Sequence, residues 1–182
     1  MSDAAGLTTS RLALRRITAA DAPWVERLHG DARVMAHVGG VQPPERARQI
    51  LQERMLDYYA QHPGLGIWAT LERATGEVAG VHLLNHIRGE TPIQVGYLLF
   101  PEHWGRGYAT EMCAALLRYG FTELALPRIH AITTLTHVAS QRVLLKAGLH
   151  RHGERSFAAY ENGAPMAFFQ RDAADWLAEH GR

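Results

Sequence analysis

Apolar and polar positions follow two rhythms along this chain, and the changes of rhythm mark its elements. Residues 11–17 alternate with period two, Leu12, Leu14 and Arg16 against Ala13, Arg15 and Ile17, which predicts a strand. Thr18 then stands as a helix N-cap with Asp21 at the third helical position, where a carboxylate suits the dipole, and Trp24, Val25 and Leu28 turn inward. Asp31 caps a second short helix ending near Gly39-Gly40. Pro43-Pro44 opens a longer helix over 45–61, with Ile50, Leu51, Met55 and Tyr58 near one stripe. Residues 67–72 and 78–87 read as a hairpin about a turn containing Thr75-Gly76. After a turn at 88–91, Ile93, Val95, Tyr97 and Leu99 alternate with Gln94, Gly96, Leu98 and Phe100. Both faces of this segment lean apolar, so it belongs in the middle of a sheet. A glycine-rich turn at 105–107 precedes a helix whose inner face carries Ala109, Met112, Cys113, Leu116, Leu117, Gly120 and Phe121. Residues 128–135 form a strand and 140–147 a helix ended by Gly148. Segments 150–160 and 165–170 flank Asn162-Gly163, a strong hairpin signal, and Asp172 caps a last helix carrying Ala173, Trp176 and Leu177. Helices mixed with hairpins in one array predict an α+β fold.

The 182 residues fit a single domain, 1–182, and an apolar content of 47 % fills a core without a disulfide or metal staple. Residues 1–9, small and polar, are expected to fray. A net charge of +1 with no run of one sign argues against a dedicated nucleic-acid partner. The lone cysteine, Cys113, excludes an internal disulfide and falls on an apolar helix face, as a core residue does. No stretch is long and apolar enough for a membrane span and Met1–Ser10 lacks a secretory pattern, so no membrane is expected as a partner and the cytoplasm is the expected compartment. His82 with His86, and His150 with His152, share strand faces, but a zinc site needs three or four converging ligands and no metal is expected. Trp24, Trp68 and Trp176 read as core, whereas Trp104, in a loop, is expected to touch a ligand or a partner chain.

The segment Leu99-Phe100-Pro101-Glu102-His103-Trp104-Gly105-Arg106-Gly107-Tyr108-Ala109-Thr110-Glu111 joins a strand to a helix. The first amides of a helix lack internal partners and sit at the positive end of its dipole. Glycines let the chain wrap a ligand closely, and the combination suits a diphosphate, with Arg106 adding charge. A P-loop would need Gly-Lys-Ser/Thr, which is absent, and the Rossmann fingerprint would need a third glycine where Thr110 stands. A tight turn that binds nothing is the bland alternative.

This turn, together with Gly96-Tyr97 before it and Ala139-Ser140-Gln141-Arg142-Val143-Leu144-Leu145-Lys146-Ala147-Gly148 after it, resembles the GNAT superfamily of acyl-CoA-dependent N-acyltransferases, in particular its RimJ/RimL-like branch. The family motif Q/R-x-x-G-x-G/A is matched by Trp104-x-x-Gly107-x-Ala109, with Trp in place of Gln or Arg. The resemblance spans about 10–172 and rests on both motifs as a pair. It implies a mixed, mostly antiparallel sheet of about seven strands with flanking helices, whose central strands, 93–100 and 128–135, splay to admit acetyl-CoA. It further implies that Leu98, Leu99 and Phe100 offer backbone to the pantetheine arm, the Leu99 amide facing the thioester oxygen. Trp104, Gly105, Arg106, Gly107, Tyr108, Ala109 and Thr110 would hold the diphosphate, with His137 and Ser140 on the opposite wall.

Three departures from the family pattern affect the chemistry. The tyrosine that many members use as acid is Leu144, so the resemblance assigns that part to Ser140. The asparagine of N-x-x-S is His137, and a glutamate two residues before Gly96 is Gln94. No base is evident, and a water ordered by His82, His86 or Glu102 is expected to take the amine proton. The expected reaction is acetyl transfer to a primary amine, a protein N-terminus or a small molecule. Residues 43–62 would roof the acceptor, with Glu45, Glu53 and Asp57 attracting a cation. A homodimer is compatible with the resemblance. A non-catalytic acyl-CoA-binding module and a nucleotide-dependent oxidoreductase are the competing readings.

Overall fold

Seven strands form one sheet in the order β1-β2-β3-β4-β5-β7-β6. They are β1 (Leu12–Arg16), β2 (Gly66–Glu72), β3 (Val78–His86), β4 (Ile93–Leu99), β5 (Arg128–Thr134), β6 (His150–Ser156) and β7 (Pro165–Asp172). The computed structural model describes residues 3–181. Every neighbouring pair is antiparallel except β4 and β5, which run parallel and meet in register only at Gln94 and His130. The mixed α+β architecture expected from the pattern is therefore present, and the central pair opens beyond Gln94.

The two faces of β4 enter two cores, as its double apolar alternation requires. Val95 and Leu99 pack with Met112, Cys113, Leu116 and Leu117 of α5 (Tyr108–Thr122). Leu98 and Phe100 pack on the other side with Val25 and Leu28 of α1 (Ala22–Gly30), Met35 of α2 (Ala32–Met35) and Leu51 of α3 (Pro44–Leu51). Helices α6 (Val138–Lys146) and α7 (Ala173–His180) lie on the α5 side through Leu144 and Trp176. Trp68 and Cys113 are fully buried, as core residues. Among the described residues, no helix is long and apolar enough to cross a membrane.

β3 approaches β4 at one point as closely as only glycine permits. Gly80, at φ +141°, faces β4 so closely that a Cβ there would lie 2.2 Å from the Leu98 carbonyl oxygen and 2.7 Å from the Leu99 Cα. Gly80→Ala is therefore expected to displace β4 and to destabilise the fold by about 2–3 kcal/mol, the range for overpacking a tight interior. A denaturant titration matching the wild type would refute that steric account.

Three expectations are corrected. Of residues 1–9, expected to fray, 1 and 2 lie outside the described residues and 3–9 pack on the fold: Ala4 is fully buried, the Gly6 amide bonds the Leu14 carbonyl, and Asp3 takes hydrogen bonds from Arg16 and Trp68. Small polar residues carry no periodicity, so this strap leaves no pattern to read. The helix over 45–61 is interrupted: a π-turn at Gln52–Leu56 separates α3 from α4 (Asp57–Gln61). Its wider turn makes Ala47, Leu51, Met55 and Tyr59 the buried row, and Tyr58 swings out to His86. Asn162-Gly163 has the positive φ values of a tight hairpin, but it sits in a longer connection, because Phe157 is drawn in against Met166 and Phe168 and the last rung is Ser156–Pro165.

Candidate active site

The opening between β4 and β5 is a property of the backbone. In an antiparallel ladder successive residues point their N–H and C=O groups to opposite sides. The Phe100 amide donates to Ala79 of β3, so Phe100 and Leu98 are engaged on that side. Tyr97 and Leu99 consequently face β5, beyond the last rung the two strands share. Leu98 and Phe100 thus turn their backbone to β3 and pack in the second core, Leu98 also lining the cavity described below, and the backbone that faces the gap is that of Leu99, joined by Tyr97.

The Leu99 carbonyl, facing the same way, accepts a hydrogen bond of 2.8 Å from the Trp104 indole. Trp104 is half exposed and pins the loop to the end of β4, so its polar edge is turned to its own chain. Gly105 and Gly107 adopt φ +73° and +81°, and Gly107 is the N-cap of α5 with no side chain capping the first turn. The opening amides of α5 are therefore free of side-chain competitors at the positive end of a four-turn helix. The loop is braced from behind. Arg11 donates to the Arg106 carbonyl at 2.8 Å and pairs with Glu111, which also accepts from Thr9, Ser10 and the Arg11 amide. Against the upward push of burial, these donors hold the Glu111 carboxyl down at about 2. Tyr108 donates to Glu72 at 2.6 Å, and the exposed Arg106 lies 3.7 Å from the same carboxylate.

Across the gap, Ser140 is buried in the first turn of α6, and the Tyr97 side chain reaches it from β4. Burial pushes the Tyr97 phenol up to about 12, a rise that the Ser140 hydroxyl partly offsets, so Tyr97 stays protonated at neutral pH. His137, the N-cap of α6, stacks on His37 at 4.1 Å and lies 3.4 Å from the Thr133 hydroxyl. Burial, reinforced by His37, lowers its pKa from 6.5, which leaves the imidazole neutral at pH 7. These groups border one cavity of about 330 Å³ that continues along β4 past Gly96 to Gln94, Tyr160, Arg54 and Arg88.

Residues 11–150 match the family described as the acetyltransferase (GNAT) domain. The chain belongs to the GNAT acetyltransferases. An N-acetyltransferase of Bacillus subtilis, YoaA, is 34% identical over 166 residues, covering 87% of this chain and 90% of that protein. The solved RimL ribosomal L7/L12 α-N-protein acetyltransferase, in complex with coenzyme A, superposes with a TM-score of 0.74 at 18% identity, over 90% of this chain and 95% of that one. A spermidine N-acetyltransferase from Vibrio cholerae, solved with CoA and spermine, gives 0.73 at 14% identity, over 93% and 99%. This GNAT chain is accordingly an acetyltransferase of a family that uses acetyl-CoA. Its uncapped α5 amides, positive-φ glycines and outward-facing Leu99 and Tyr97 amides fit the diphosphate and pantetheine of that cosubstrate.

His137 and Ser140 border one cavity with Tyr97, and Leu99 and the 104–110 loop lie at the end of β4, while the water-ordering trio lies outside that cavity. His82 is fully buried, bonded to Thr70, and burial pushes its pKa down to about 3. His86 is bonded to Tyr58 and borders, with His62, an adjoining cavity that shares Arg54 and Arg88 with the first. Glu102 is exposed and paired with Arg27. Tyr97 is the residue that sequence reasoning missed: it stands beside Gly96 in the quoted motif, but only the fold shows its hydroxyl meeting Ser140. Among the described residues, no group of three or more His, Cys, Asp or Glu side chains is placed to hold a metal ion.

Proposed function

We propose that this GNAT enzyme transfers an acetyl group from acetyl-CoA to a primary amine, a protein N-terminal α-amine or that of a small molecule, by direct attack of nitrogen on the thioester carbonyl. The observation that carries this reading is the β4–β5 opening, where the Ser140–Tyr97 hydroxyl pair and a neutral His137 border one cavity and the Leu99 backbone faces β5 beyond the last shared rung. Acetyl-CoA supplies the activated acyl group, its diphosphate held by the 105–110 amides. The Leu99 N–H stabilises charge growing on the carbonyl oxygen. A C–N bond forms as the C–S bond breaks. His137 accepts the proton that nitrogen loses, and the Ser140–Tyr97 pair delivers one to sulfur.

The test is release of free CoA thiol from acetyl-CoA across a panel of peptides and amines. Because the folded pKa of His137 lies below 6.5, kcat is expected to hold from about pH 8 down to about 6.5 and to fall below that as the imidazole protonates. His137→Gln should remove that acid limb. Tight acetyl-CoA binding with no thiol release for any amine would overturn the proposal.

A further inference from the structure

The cavity that serves the thioester also has a cationic end. Its described lining contains Arg46, Arg54, Arg88, His29 and His37, and no aspartate or glutamate; Arg46 lies 3.8 Å from Glu53, and Arg54 and Arg88 also border an adjoining cavity lined by Glu53 and Glu90. Of the cation-attracting carboxylates expected from residues 43–62, Glu45, Glu53 and Asp57 are exposed and none lines this cavity, Glu53 bordering the adjoining one. The π-turn at Gln52–Leu56 shifts the helix register at Arg54, which is half-buried on the cavity side with Tyr160 against it. Arg88 reaches the same place from the β3–β4 turn, its guanidinium 5.2 Å from the Tyr160 ring and its amide donating to the Tyr160 hydroxyl. Gln94 completes the group, donating to that hydroxyl at 3.3 Å.

No described carboxylate pairs with Arg54 or Arg88, although most other arginines of the chain have one. Burial, with Arg88 and Arg46 close by, lowers the pKa of Arg54. Arg54, half-buried and without a described carboxylate partner, is costly unless an anion joins it, and the exposed Arg88 beside it adds a second guanidinium fork, a shape that matches a carboxylate. Gln94 lies three residues from Tyr97 along β4, ~10 Å at ~3.3 Å per residue.

We propose that the acceptor amine carries a carboxylate, and that Arg54 and Arg88, with Tyr160, hold it at the Gln94 end of β4 while the nitrogen lies near Tyr97 and Ser140. This rests on the acetyl-transfer reading above and narrows its substrate class. Two sources share that chemistry: an acidic side chain next to a free N-terminus, or a free amino acid. The same charges disfavour a polyamine in this cavity.

The experiment compares rates of thiol release for Ala-Glu, Ala-Gln and Ala-Lys peptides with amidated ends, for γ-aminobutyrate against n-butylamine, and for spermidine. The acidic member of a matched pair is expected to have a kcat/KM higher by roughly 10- to 100-fold, the scale of a charge-assisted hydrogen bond. Which pair shows the preference identifies the source. Arg88→Gln, at an exposed turn, should reduce the preference through KM, and Arg88→Lys should restore part of it. Arg54→Gln should do the same where its melting curve shows a folded protein. As a readout independent of turnover, glutarate should bind the CoA-loaded wild type more tightly than either Gln variant. Equal rates for the Glu and Gln peptides and for the γ-aminobutyrate pair, a preference for Lys or spermidine, or a preference unchanged in both Gln variants would overturn the inference alone. Absence of transfer to every amine would overturn the acetyl-transfer reading and this one together.

Discussion

Replacing Gly105 and Gly107 together by valine is expected to lower the affinity for coenzyme A by roughly 1000-fold, the consequence of losing two amide–phosphate contacts of about 1.5–3 kcal/mol each. Both glycines hold a left-handed backbone, at φ +73° and +81°. A β-branched residue pays about 1–2 kcal/mol to remain there, so the loop relaxes and turns its amides away from the diphosphate. Space is not the obstacle at Gly105, where a Cβ meets nothing within 4 Å; at Gly107 it meets only the tip of Arg11, at 3.4 Å. The effect therefore belongs to the loop conformation and not to a general collapse. Calorimetry with CoA measures the loss. The melting temperature should drop by at most about 4–16 °C, from ~2–4 kcal/mol of backbone strain at ~2–4 °C per kcal/mol for a chain of this size. Wild-type affinity in the double variant would remove the basis for placing the diphosphate here.

The double substitution Ser140→Ala and Tyr97→Phe is expected to lower kcat by roughly 100- to 1000-fold, the range for a positioned general acid, while CoA affinity stays close to wild type. The two hydroxyls form one unit: Tyr97 is held protonated by burial, and Ser140, buried at the start of α6, is its partner across the gap. Either single change should cost most of what the double change costs, because groups in one hydrogen-bonded chain do not act additively. Single-turnover acetyl transfer separates this loss from product release. A double variant with near wild-type kcat would show that the departing thiolate needs no proton from this pair.

The parts of this fold that a sequence makes visible are those with a local cause. The alternation from Ile93 to Phe100 placed β4 at the centre because both its faces must be apolar. The Gly105–Gly107 turn was legible because positive φ selects glycine within a few residues of a helix start. What stayed hidden depends on distant partners. Leu98 and Leu99 look alike in sequence, and only pairing with Val81 and Gly80 decides which amide faces the gap. His82 and His86 share a strand, yet one is sealed beneath α5 and the other bonds Tyr58, because α4 ends over only one of them. The acidic residues of 43–62 suggested a cationic acceptor. The π-turn, which leaves no periodic trace in so short a helix, put Arg54 at the cavity instead.

On the proposed reading, the donor side of the cleft is assembled from peptide groups, and the acceptor side from guanidinium, phenol and amide side chains. Mutation rewrites side chains one at a time but cannot delete a peptide N–H except by introducing proline. Selection can thus retune which nucleophile is accepted while acyl delivery persists almost unchanged. Divergent cousins of this scaffold should accordingly trade acceptors far more readily than they trade donors.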